Sequence, residues 1–149
     1  MRQLTINAFY LVLAMICAFQ AKAQTTKYYR HLRYNHVSPH VPLKGIYPIA
    51  KEEAIITSHY VFTYDEYNRL IEIVNNHYHT EKRHPLASIG AYRTAISYEN
   101  GNETRIFYDK NGKRVTNDRD VYKEVFSKDK KGNYTALHFY DVDDAPMES

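Results

Sequence analysis

Asn-Gly and Gly-Asn steps punctuate the second half of this chain, at Asn100-Gly101, Asn111-Gly112 and Gly132-Asn133. Each lies between segments rich in tyrosine and β-branched residues, which suit a pleated, half-buried surface. An Asn-Gly step accepts the positive φ angles of a tight hairpin, where most side chains would clash with the backbone. A chain marked this way pairs each segment with the next. The expected fold class is therefore all-β, an antiparallel meander of successive β-hairpins forming an open, repeat-like sheet. Tyr92, Thr94, Ile96 and Tyr98 alternate with Arg93, Ala95 and Ser97, which is the period of a strand.

The other expected strands cover residues 54–64, 69–79, 121–127 and 134–140, with a return through Thr104 to Asp109. In the first, Ile56, Ser58, Tyr60, Phe62 and Tyr64 share a face. In the second, Ile71 and Ile73 share one face, and Leu70, Val74 and Tyr78 the other. Asp65-Glu66-Tyr67-Asn68 turns the chain between them, and residues 81–90, with Pro85, form a loop. A short helical turn at Lys51 to Ile55 competes with the start of the first strand.

Residues 1–23 have the three parts of a secretory leader. Arg2 supplies the positive start, and Ala8 to Phe19 supply a run of apolar residues without a charge. Ala21-Lys22-Ala23 forms the small-residue cleavage site before Gln24. The run is shorter than the roughly 20 residues a membrane-spanning helix needs. Met15-Ile16 before Cys17 lacks the small residues of a lipidation site. The expected product is an exported protein of residues 24–149, periplasmic, on the outer surface or secreted, and not integral to a membrane after cleavage. Cys17 is the only cysteine, so that product folds by burial and sheet pairing without a disulfide.

With Arg2 and Lys22 removed, the 20 basic residues fall to 18 against 17 acids. The near-neutral sum hides an asymmetry. Residues 24–50 carry Lys27, Arg30, Arg33 and Lys44 and no acid, whereas the last 35 residues, 115–149, are acidic. The expected organisation is a leader (1–23), a basic, aromatic and mostly irregular arm (24–50), a β-hairpin repeat domain (51–144) and a tail (145–149).

The hairpins resemble one another. Phe62-Thr63-Tyr64-Asp65-Glu66-Tyr67-Asn68 aligns with Ile96-Ser97-Tyr98-Glu99-Asn100-Gly101-Asn102 and with Phe126 to Asn133. This places Asn68, Asn102 and Asn133 in equivalent positions. Phe107-Tyr108-Asp109-Lys110-Asn111-Gly112 likewise matches Phe139-Tyr140-Asp141-Val142-Asp143-Asp144. Over residues 60–144 the chain resembles the tyrosine–aspartate (YD) repeat proteins of bacterial exported and cell-surface arrays. It departs from their pattern at Tyr67 and Asp144, which stand where glycine belongs. The resemblance implies a hairpin scaffold, carries no catalytic residues, and leaves open that this chain is one piece of a longer array.

Chemistry-bearing motifs are few. Seven of the eight histidines lie between His31 and His84. His77 and His79, two apart on an expected strand, share a face, and His59 on the partner strand would complete a divalent-metal site. No serine sits in a glycine-flanked nucleophile elbow, and the zinc-protease, phosphate-loop and dinucleotide patterns are absent. Asp141, Asp143 and Asp144 lack the glycine and bidentate glutamate of a calcium loop. Tyr28 to Tyr34 interleaves aromatics with Arg30 and Arg33, but export separates the chain from nucleic acid. The leading expectation is a non-enzymatic exported module acting in binding or as an envelope or cell-surface component. Its contact candidates are Tyr28, Arg30, Arg33, His77 and His79, and its partners a glycan, an anionic envelope surface or a protein. A small metal-dependent hydrolase using the histidines is the competing reading. No cofactor other than that metal is expected.

Overall fold

A computed structural model describes residues 24–33, 40–76 and 89–148. Their strands are β1 (Thr25–Arg33), β2 (Lys44–Ile49), β3 (Tyr60–Tyr64), β4 (Leu70–Asn75), β5 (Arg93–Glu99), β6 (Asn102–Tyr108), β7 (Lys123–Lys128), β8 (Tyr134–Tyr140) and β9 (Pro146–Met147). One helix, α1 (Lys51–Ile56), interrupts them. All nine strands join one open antiparallel sheet, in the order β2-β1-β3-β4-β5-β6-β7-β8-β9. From β3 onward each strand pairs with the next, as the turn punctuation requires.

Four details depart from the sequence expectation. The arm is not mostly irregular, because β1 lies against β3, with Lys27 opposite Phe62 and Tyr29 opposite Tyr60. Tyr29 and Leu32 give β1 its apolar contacts with the core. Pro48 sits in the outer strand β2, where a missing N–H need not break a ladder. Next, the strand expected from residue 54 begins at Tyr60. Residues 51–56 are helical instead, with Ala54 N donating to Ala50 O and Ala54 turned inward. Glu52 and Glu53 in the first turn favour a helix there by opposing its dipole.

The third departure is a bulge. Thr63 opposes Glu72 while Tyr64 opposes Leu70, so Ile71 is the extra residue. Leu70 consequently packs with the core that holds Ile73, rather than on the opposite face. Finally, the tail is partly paired, with Pro146 and Met147 opposite Tyr140 and Phe139.

One five-residue turn recurs along the chain. At Asp65, Asp109, Asn117, Asp129 and Asp141 a side-chain oxygen accepts the backbone N–H groups two and four residues ahead. The backbone N–H of each donates to the carbonyl four residues on. The fourth residue is left-handed every time: Asn68, Gly112, Asp120, Gly132 and Asp144. Asn68, not Tyr67, therefore occupies the glycine position of the first turn. Asn68, Asn102 and Asn133 are not equivalent: Asn68 is the fourth residue of its turn, Asn133 the fifth of its own, and Asn102 opens β6 after the two-residue turn Asn100-Gly101. The return strands β4, β6 and β8 begin at Leu70, Asn102 and Tyr134, a spacing of 32 residues at each step.

Nothing lies within 4 Å of a Cβ built at Gly112, whose φ is +79°. Gly112→Ala isolates the backbone term, and urea unfolding should show a loss of about 1 kcal/mol. No loss would mean that this turn relaxes to another conformation.

The buried face follows from cross-strand register. Phe62, Ile73, Thr94 and Phe107 form one row across β3 to β6. Leu43, Ile89, Ala91 and Val115, from the connections, pack with this row and with Leu32 and Tyr60. The Tyr29 ring stands edge-on to Phe62 with centroids 5.0 Å apart and lies on Gly45, where any Cβ would overlap ring carbons.

Candidate functional site

Two constellations of polar side chains stand out, one at the β2 edge of the sheet and one across β6 to β8. The first lies where β1 meets β2 and α1. An open groove of about 700 Å³ is lined by Gln24, Thr26, Lys27, Tyr28, Tyr29, Pro48, Ile49 and Lys51. Both lining charges are positive. Lys27 Nζ sits 5.0 Å from the centre of the Tyr64 ring, so that ring supports the ammonium without neutralising it. Burial first, and then the neighbouring Tyr29 hydroxyl, push the Tyr64 phenol up to about 12. Tyr64 is therefore uncharged beneath Lys27 at neutral pH.

Of the contact candidates read from the sequence, Tyr28 lines this groove. Its ring also meets the His59 ring edge-on at 5.8 Å. Arg30 is turned to α1, where Nη2 donates to Glu53 Oε1 at 2.6 Å. Both groups are substantially exposed, so the pair orients the helix more than it stabilises the fold. Arg33 is exposed at the end of β1. His77 and His79 lie outside the described residues, as do Ala21 and Ala23 of the expected cleavage site.

His59 is already engaged within the fold. It is buried, with Nδ1 2.7 Å from Thr57 O and Nε2 2.8 Å from Asn76 Nδ2. Only the Nδ1–H tautomer satisfies both contacts, because the amide must donate to Nε2. That lone pair is occupied, so ligation of a metal by His59 requires displacing Asn76. Among the described residues no group of three or more potential metal ligands converges.

The second constellation was not singled out in the sequence. Glu103 and Arg105 on β6 and Glu124 on β7 share the buried face. Register sets Arg105 between Ile96 and Glu124, and Glu103 between Tyr98 and Phe126. Arg105 donates from Nε (2.8 Å) and Nη2 (2.6 Å) to Glu103 Oε1. Lys128 Nζ (2.6 Å) and the Tyr134 hydroxyl (2.9 Å) donate to Glu103 Oε2. Glu124 lies 3.7 Å from Arg105 and accepts from Asn117 Nδ2 (2.8 Å) and Arg119 Nη1 (2.9 Å). The Arg105 guanidinium stacks 4.1 Å above the Phe126 ring centre.

The two carboxylates are held differently. Burial alone would raise Glu103, but Arg105 and Lys128 outweigh it and hold the group below the usual carboxylate range. Burial wins at Glu124, which is pushed up despite Arg105 and Arg119. Burial also raises the Tyr134 phenol to about 12, with Glu103 adding to it.

A cleft of about 270 Å³ opens over Glu103, Arg105, Lys128, Tyr98 and Tyr134. Their polar atoms already bond one another, and Tyr98 donates to Leu70 O at 2.9 Å. The cluster thus locks strands together and offers a ligand little unspent hydrogen-bonding capacity. A sequence signal for it existed: Glu103, Arg105 and Phe107 alternate on β6, placing an opposite-charge pair on the face of a buried phenylalanine.

Compared with protein-family models, with curated proteins and with solved structures, the chain matches none.

Proposed function

We propose that this protein is an exported, non-enzymatic β-repeat module that binds an anionic partner at the cell envelope through the groove beside β1. The observation that carries this reading is the groove itself, with Lys27 and Lys51, two tyrosines and no carboxylate among its lining residues. Cationic side chains on low-dielectric aromatic walls concentrate an anion, while the tyrosine faces suit a sugar ring or an apolar stem. The leader-like segment and the resemblance to YD-repeat proteins support the compartment and the scaffold role. Among the described residues no helix is long and apolar enough to cross a membrane.

The test uses the chain produced with its own leader in a bacterial host, followed by mass measurement of the exported product. The expected N-terminus is Gln24, and retention of residues 1–23 on a cytoplasmic product would remove the export claim. Binding is then titrated with a soluble carboxylated polysaccharide. At about 1 kcal/mol per lysine near an anionic surface, Lys27→Glu with Lys51→Glu should weaken binding by roughly thirtyfold or more. Raising salt should weaken the unmodified protein in the same direction. An unchanged affinity in the double variant would show that the groove is not the binding site.

A further inference from the structure

An asparagine can lose its side-chain nitrogen to attack by the backbone nitrogen of the next residue, and a glycine there leaves that nitrogen least shielded, having no Cβ. In a folded chain the reaction depends on what holds the attacking N–H. At Asn68, Asn75, Asn111 and Asn117 it is held. Arg69 N donates to Asp65 Oδ1 (2.8 Å), Asn76 N to His59 O (3.0 Å), Gly112 N to Asp109 O (3.2 Å) and Asp118 N to Ile89 O (3.0 Å). The Asn111 turn is fastened further, since Asp109 Oδ1 accepts from Asn111 N (2.8 Å) and Lys113 N (2.9 Å). Asn100 differs. It starts the two-residue turn between Glu99 and Asn102, which face each other at the ends of β5 and β6. Among the described residues neither the Gly101 N–H nor the Asn100 side-chain amide bonds a protein group. Both residues are exposed, and nothing lies within 4 Å of a Cβ built at Gly101.

We propose that Asn100 is a site of spontaneous deamidation, and that the fold protects Asn111, the other asparagine followed by glycine. The Gly101 nitrogen, giving its proton to solvent, attacks Asn100 Cγ. The Cγ–Nδ2 bond breaks, and the nitrogen leaves as ammonia with a proton taken back from solvent. The resulting five-membered imide is opened by one water at either carbonyl, giving aspartate or isoaspartate. Nothing is oxidised or reduced, and each event consumes one water and releases one ammonia. Ring closure requires Asn100 to leave its left-handed conformation, at φ 51°. A hairpin tip does so by local opening, which breaks few contacts. At Asn111 the same opening must also break the bonds to Asp109. The isoaspartate product adds a methylene to the backbone of a two-residue turn, whose length sets the register of β5 with β6.

The experiment incubates the full chain in mildly alkaline buffer and follows both sites over time by peptide mapping with mass spectrometry, which reads the replacement of the amide nitrogen by oxygen. Isoaspartate is scored separately from aspartate. In the folded chain Asn100 is expected to react at least about tenfold faster than Asn111. In concentrated urea, where neither turn exists, the two rates should converge. Asp109→Ala removes the side-chain acceptor that fastens the second turn, so it should raise the rate at Asn111 and leave that at Asn100 unchanged. A variant that fails to fold is recognised by a rise at both sites, and the urea comparison with the unmodified chain then decides. Asn111 reacting as fast as Asn100 in the folded chain, or a ratio of rates that urea leaves unchanged, would overturn the inference.

Discussion

Arg105→Met is expected to lower stability by about 3–5 kcal/mol at pH 7, with a fall in melting temperature of roughly 10–20 °C. Arg105 is almost fully buried between two carboxylates that are as buried as it is. Removing it leaves Glu103 with Lys128 and Tyr134, and Glu124 with Arg119 and Asn117, in a site that has lost its central charge. The penalty is the unpaired burial of charge and not the net worth of the ion pairs. Accordingly, Arg105→Met combined with Glu103→Leu and Glu124→Leu should recover only part of the loss, because it removes the unpaired buried carboxylates but takes the acceptors from Asn117, Arg119, Lys128 and Tyr134.

The two carboxylates also impose opposite pH trends. Glu103 is depressed in the folded state, so its contribution is present above the ordinary glutamate value of about 4.3 and is lost as pH falls through its folded value. Glu124 is raised, so its contribution is present below about 4.3 and is lost as pH rises through its folded value. Glu103→Gln should remove part of the acid-side loss, and Glu124→Gln part of the loss on the other side. Urea unfolding from pH 3 to 8 measures both slopes. Identical pH profiles for the two variants would show that the environments are not distinct.

That cluster marks the limit of what the sequence discloses. The meander from β3 to β8 is legible because its information is local. Alternation sets the faces, and turn residues with positive φ set the reversals. The arm escaped because Thr25 to Arg33 has no clean alternation. Its partner β3 is supplied by chain more than 25 residues on, across an intervening strand and helix. Residues 51–56 misled because Ile55 and Ile56 are β-branched and read as strand, while burial selects only Ala54. Glu103, Arg105 and Glu124 were not singled out: alternation on β6 puts Glu103 and Arg105 on one face, but only the register of β6 with β7 brings Glu124 to them. His59 was legible as a ligand type. Its actual bonds to Thr57 and Asn76 depend on a loop whose course the sequence does not specify. Tyr28 was a contact candidate by its setting among cations, and it lines a groove with Lys27 and Lys51 rather than with Arg30 and Arg33.

Phe62→Ala is expected to produce the other large loss, about 3–5 kcal/mol, because the ring is fully buried in the main apolar cluster and deletion leaves a cavity. The sheet makes a sharper claim than that magnitude. Each strand pairs only with its neighbours in the order, so coupling between distant strands passes through every strand between them. The apolar cluster ties β1 to β6, whereas β6 to β8 are held by Phe126 and the buried ions. Losing Phe62 should therefore loosen one end of the sheet more than the other. Amide exchange should accelerate by about a hundredfold or more in β3 and β4, and by less in β7 and β8. Phe126→Ala should reverse that order. Equal acceleration in all strands for both variants would show instead that the sheet opens as one cooperative unit, with Phe107 on β6 bridging the two regions firmly enough to make local opening unobservable.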